Sequence, residues 1–263
     1  MAKESYGIEI QSDIIDLEGI DNRITGSVTA RELGSALAVG VENAELGDSD
    51  IGYLLELNGG SDRVIGAATA IGAEEAFADG IRNAGSISLG SQSNIVAGTG
   101  RAKSSQGELT FATGINSSGA GTIAGVGESD SLRGNATAIG RNDVGAFGVL
   151  LAMADMGCGQ DRLRGNAIAN GISSTDARGV SIGLSDIDDD TTAGNPLGVA
   201  PTVGGTAQTG TVLMGQGSDV IDGNATVKVA ARDGDEIFFA GANGIVNDGG
   251  TNAVQQLGEL CDG

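Results

Sequence analysis

Apolar and polar positions alternate with period two in a nine-residue segment that occurs six times along the chain. The copies are Asn22 to Ala30, Asp62 to Ala70, Asn94 to Ala102, Asp130 to Ala138, Asp161 to Ala169 and Asp219 to Val227. Their consensus is Asp-x-aliphatic-x-Gly-x-Ala-x-Ala, and successive starts lie 40, 32, 36, 31 and 58 residues apart. Strict alternation is the mark of a β-strand, whose side chains point to opposite faces in turn. One face of each copy carries an aliphatic residue, Gly and small apolar residues, whereas the other is mostly Arg, Thr, Asn and Ser. The small face is expected inside, and its low volume predicts backbones that approach closely across a thin core.

Two further strands accompany each copy. The second covers Leu37 to Val41, Phe77 to Ile81, Phe111 to Ile115, Phe147 to Leu151, Val180 to Leu184 and the neighbourhood of Phe238 and Phe239. All five Phe fall in this one alignment, which predicts an inner ladder of stacked rings. The third strand, clearest at Gly85 to Gly90, Gly121 to Gly125 and Gly210 to Gly215, precedes the next acidic residue. Three strands in a fixed order, with the two-residue hairpin turns mostly missing, predict an all-β fold. The specific expectation is a parallel β-solenoid (β-helix or β-roll) of about six degenerate units of about 35 residues. Each unit is either one three-sided turn or two turns of about 18 residues. Residues 1–18 read as an N-terminal cap, 19–240 as the repeats, and 241–263 as a C-terminal cap or tail. A loop insertion at about 185–208 holds both prolines, Pro196 and Pro201.

Composition narrows the function. The 263 residues include 47 Gly and no His, which closes Ser-His-Asp, Cys-His and His-zinc chemistry. The 35 acidic and 14 basic side chains leave a net charge of −21, which repels phosphate backbones and points to a cation as ligand. Nucleic acid is therefore not an expected partner. No apolar run approaches the roughly 20 residues of a membrane span, so membrane insertion is not expected either. The start, Met1 to Gly7, lacks the features of a secretory signal. Cys158 and Cys261 read as free thiols, too few to staple a chain of this size.

The strand entrances are Gly59-Gly60-Ser61-Asp62, Gly127-Glu128-Ser129-Asp130, Gly157-Cys158-Gly159-Gln160-Asp161 and Gly215-Gln216-Gly217-Ser218-Asp219-Val220-Ile221. These resemble the repeats-in-toxin, or haemolysin-type, nonapeptide Gly-Gly-x-Gly-x-Asp-x-aliphatic-x, with Gly215, Gly217, Asp219 and Ile221 matching best. The resemblance implies a parallel β-roll, calcium held by the Asp side chains and turn carbonyls, and export without an N-terminal signal. The expected location is thus extracellular or at the cell surface, with the cytoplasm left open.

On that reading the metal ligands are Asp62, Asp130, Asp161 and Asp219, and calcium is the expected cofactor. The clusters Asp48-Ser49-Asp50, Asp186 to Asp190, with Asp188 and Asp190 as ligands, and Asp233 to Glu236 are further cation candidates. The competing reading is that the entrance residues cap turns by hydrogen bonds to backbone amides, a task Asn22 and Asn94 would share.

Two other surfaces bear on function. Thr29, Thr69, Thr137 and Thr226 form one outward column, and Ser27, Thr99, Asn135, Asn166 and Asn224 its neighbour, the pattern of an ice- or surface-binding ladder. Thr also suits strand stacking for its β propensity alone. An enzyme acting on polysaccharide with paired carboxylates is the third alternative, but no pair stands out. The sequence thus predicts a non-catalytic structural or adhesive module that binds divalent cations. Free strand edges at its ends are expected to support self-association by end-to-end stacking.

Overall fold

The computed structural model describes residues 3–10, 14–19, 21–43, 53–125, 127–172, 174–183, 211–214, 218–229, 239–247 and 253–255. Among these there are β-strands and no helix, so the fold is all-β. In chain order the strands are β1 (Lys3–Glu9), β2 (Ile14–Leu17), β3 (Arg23–Arg31), β4 (Ala36–Asn43), β5 (Leu54–Leu57) and β6 (Arg63–Gly72). Then come β7 (Glu75–Asn83), β8 (Ser86–Ser88), β9 (Ile95–Ser104), β10 (Leu109–Ala124), β11 (Ser131–Ile139) and β12 (Asp143–Asp155). The last are β13 (Arg162–Gly171), β14 (Ser174–Ile182), β15 (Thr211–Leu213), β16 (Val220–Val229), β17 (Phe239–Asn247) and β18 (Ala253–Gln255).

All pairings between these strands are parallel, and each joins a strand to its equivalent in the next unit. The nine-residue repeats form one sheet, ordered β16-β13-β11-β9-β6-β3. Its register aligns Gly26, Gly66, Gly98, Gly134, Gly165 and Gly223 in one row, as the consensus predicts. The second sheet runs β1-β4-β7-β10-β12-β14-β17 and bends at the long strands β10 and β12 into a third row. That row holds β2, β5, β8, the ends of β10 and β12, β15 and β18.

The interior has two compartments. Between the start of the first sheet and the third row lies an aliphatic core, with Val64, Leu132 and Leu163 facing Ile81, Val149, Leu55 and Ile123. On the other side lies a core made almost wholly of alanine, including Ala68, Ala70, Ala136, Ala138, Ala76 and Ala112. Glycine separates them. A Cβ on Gly66 would run into the carbonyl oxygen of Gly80, and one on Gly134 into that of Gly148. Neither glycine has a left-handed φ, so what each position demands is space for a close backbone approach. This is the thin core the small inward residues predict.

Two expectations need correction. Phe77 and Phe111 stack with ring centroids 6.1 Å apart, but they sit in a separate cluster with Leu37 and Val39, away from both inner cores. Phe147 is not in their column: its register partners are Thr113 and Arg178. Adjacent strand positions point to opposite faces, so these rings occupy the outward side of the second sheet. Phe239 begins β17, and Phe238 lies outside the described residues. The second correction concerns the thiols: Cys158 is disulfide-bonded, and no described cysteine is free. Cys261 lies outside the described residues.

Candidate functional site

The residues at the entrances to the first sheet form one continuous hydrogen-bonded ladder. The backbone N–H of Asn22 donates to Asp62 Oδ1 (3.1 Å), and that of Asp62 to Asn94 Oδ1 (2.9 Å). Asn94 N–H donates to Asp130 Oδ1 (3.1 Å), Asp130 N–H to Asp161 Oδ1 (2.8 Å) and Asp161 N–H to Asp219 Oδ1 (3.1 Å). Each side chain therefore caps the strand of the preceding unit. Asn94 serves in the ladder as the Asp residues do, because the ladder uses only the Oδ1 acceptor. Capping is the role these residues play, though the amides lie 31 to 58 residues away in sequence and not in the local turn.

The second oxygen sets the electrostatics. Asp62 Oδ2 accepts from the Gly90 amide at 2.9 Å, whereas Asp130, Asp161 and Asp219 each keep a buried Oδ2 with no hydrogen-bond partner. Burial therefore pushes the Asp130 carboxyl up to about 6, against hydrogen bonds from the side chain and backbone of Asn94 and the opposing pull of the Gly127 backbone. Asp161 is likewise raised to about 6, by burial first and then by the neighbouring carboxylates Asp130 and Asp219, while the Asp130 amide pulls the other way.

Calcium takes six to eight oxygens. Asp130, Asp161 and Asp219 offer three unengaged side-chain oxygens, one per rung, while Asp62 has both of its own engaged. Among the described residues no group of three or more His, Cys, Asp or Glu is placed to hold a metal ion. Asp188 and Asp190 lie outside the described residues, as do Asp48, Asp50 and Asp233 to Glu236.

A charged cluster that the repeat pattern does not announce sits on the second sheet. Arg82 donates from a terminal nitrogen to Glu42 Oε1 (3.0 Å) and from Nε to Asp79 Oδ2 (2.9 Å). Burial raises Glu42 to about 7 even with Arg82 opposing it, and Glu9 and Asp79 add to the rise. Burial alone would lower the Arg82 pKa, but Asp79 and Glu42 outweigh it and hold the guanidinium charged. The signal available in the sequence is the register that sets Glu42 directly beside Arg82.

The outward columns of the first sheet follow the predicted alignment. Asn224 Nδ2 donates to Asn166 Oδ1 (3.1 Å) and Asn166 Nδ2 to Asn135 Oδ1 (2.9 Å), forming an exposed amide ladder. Thr29 pairs with Thr69, but Arg101 and Ile168 interrupt the Thr column.

At the N-terminal end the aliphatic core opens into a concavity of ≈ 630 Å³ lined by Ile8, Ile10, Ile15, Leu17 and Ile24. No described helix is long and apolar enough to cross a membrane. Comparison with family models, with curated proteins and with solved structures finds no match. The likeness to haemolysin-type repeats therefore rests on the entrance residues alone.

Proposed function

We propose that the chain is a parallel β-solenoid that serves as a non-catalytic structural or adhesive module outside the cell, its copies stacking end to end. The observation that carries this reading is that, among the described residues, all three rows end on strands with a free edge, β3, β1 and β2 at one end and β16, β17 and β18 at the other. Ile24 on β3 and Ile221 on β16 are only partly buried, whereas Leu132 and Leu163 in the same column are 0% exposed. The capping ladder is unfinished at both ends. Among the described residues nothing donates to Asn22 Oδ1, and nothing accepts from the Asp219 N–H. A second copy placed after β16 would set its β1 and β2 against β17 and β18, the last strands of the other two rows. Such a head-to-tail contact does not close on itself, so it propagates into a filament. Size exclusion with light scattering, followed by electron microscopy, tests this. Assembly should grow with protein concentration and with salt, which screens the net charge of −21. A monomer under all these conditions would sink the stacking.

The free Oδ2 oxygens of Asp130, Asp161 and Asp219 favour calcium as a stabilising ion within the same reading. Thermal melting with calcium and with EDTA tests it: coincident melts would remove calcium from the account.

A further inference from the structure

The charge of this chain is not spread evenly. Of its 14 Lys and Arg, nine project from the outward side of the first sheet. Arg23, Arg63 and Arg162 share the first outward column, and Arg133 and Arg164 the second. Arg101 interrupts the Thr column, while Arg31, Lys103 and Lys228 lie in the last one. All nine are exposed. The only carboxylate among these columns is Asp222, so this face carries +8, and the rest of a chain at −21 carries −29.

Local pairing does not account for the segregation. Arg164 reaches Asp222 at 3.1 Å, but no other cation on the face has a carboxylate partner among the described residues. Arg23 lies directly beside Arg63, and Arg133 beside Arg164, on adjacent strands. Like charges opposite one another in a sheet destabilise it. A bridging anion would relieve that.

Between the basic columns run the amide ladder of Asn135, Asn166 and Asn224 and the hydroxyls of Thr29, Thr69 and Thr137. Six strands at about 4.8 Å make a platform roughly 24 Å across. No aromatic ring lies on it, which removes the usual means of stacking bases or anchoring in a bilayer. Its exposed aliphatic residues, Ile139, Ile168 and Val220, lie in three different columns.

We propose that the outward face of the first sheet binds an acidic polysaccharide, whose carboxylates pair with the Arg and Lys columns and whose hydroxyls meet the Asn and Thr between them. This rests on the reading of the chain as an adhesive module and names what it adheres to. The test is binding of the purified chain to immobilised polygalacturonate, with dextran, duplex DNA and phosphatidylserine vesicles as comparators. Binding to polygalacturonate alone is expected, weakening ~10-fold or more between 50 and 200 mM salt. The triple variant Arg63→Gln, Arg101→Gln, Arg133→Gln should lose ~10-fold in affinity with no fall in melting temperature.

Salt-insensitive binding, equal binding of the variant, tighter binding of DNA or vesicles, or no binding overturns the proposal. The salt series needs no variant, so it decides even if the triple variant does not fold. Polymer length and end-to-end assembly are read on the same samples. Shortened polygalacturonate would refute the non-catalytic reading while leaving the face in place, and assembly without polymer binding would refute the face alone.

Discussion

Replacing Asp130 by Asn should stabilise the protein at neutral pH. Asp130 is 1% exposed, its Oδ1 serves the capping ladder, and its Oδ2 has no partner. Holding a charge there costs free energy: the rise from 3.8 to about 6 corresponds to ~3 kcal/mol of preference for the neutral form. A carboxamide keeps the Oδ1 acceptor and discards the charge, as Asn94 already does one unit earlier. The sign follows from the raised folded-state pKa. The stability gained by protonation is full below pH 3.8 and is lost as the pH climbs through about 6. The variant's advantage should thus be ~1–3 kcal/mol at pH 7 and close to zero at pH 4. Urea unfolding of both proteins at the two pH values gives the difference directly, with other titrating groups cancelling. Asp130→Ala supplies the contrast. It strands the Asn94 backbone N–H, while Asn94 Nδ2 keeps the Gly90 and Gln92 carbonyls, and should be ~1–3 kcal/mol less stable than Asp130→Asn at either pH. An Asn variant that is less stable at pH 7, or equally advantaged at pH 4, would refute the argument.

Other substitutions probe the remaining features. Gly134→Ala drives a Cβ into the Gly148 carbonyl, backbone against backbone, and should cost ~3 kcal/mol or more in chemical denaturation. A cost below ~0.5 kcal/mol would mean the two sheets can separate there without penalty. Arg82→Ala leaves Glu42 and Asp79 buried without their cation and should cost ~3–5 kcal/mol, more at pH 9 than at pH 5, where Glu42 is protonated. Melting temperatures at the two pH values would show it. Ile221→Asp puts a charge on the open end of the aliphatic core and should abolish concentration-dependent assembly in light scattering, at a cost of ~1–3 kcal/mol to the monomer's own stability.

The first sheet was legible because its strands have two unlike faces. Alternation in Asp161 to Ala169 separates inward Leu163, Gly165, Ala167 and Ala169 from outward Arg162, Arg164 and Ile168, and the structure keeps that division. The second sheet hides its faces. Every residue of Ala36–Asn43 is buried, so no period of two marks which side is inner. For that reason Phe77 and Phe111 look like core residues in sequence and are found outside both cores. The trio of Glu42, Asp79 and Arg82 escapes for a related reason, since Asp79 and Arg82 sit three apart in one apolar run, Glu42 stands in another, and only the register brings it to them. The entrance residues were legible as positions, but not the direction of their bonds, because their acceptors and donors lie a whole unit apart. The disulfide of Cys158 leaves no local trace in composition.

The direction of the capping ladder has a consequence for how the chain is made. Every Oδ1 acceptor belongs to the unit that follows the amide it caps, from Asp62 over Asn22 to Asp219 over Asp161. During synthesis from the N-terminus, a newly emerged unit has an uncapped entrance until the next one arrives. Each unit is thus finished by its successor, and order spreads from the first unit toward the last at the pace of chain growth. A chain stopped early ends on an unfinished entrance whatever its length, so truncation at any unit boundary should expose the same kind of edge.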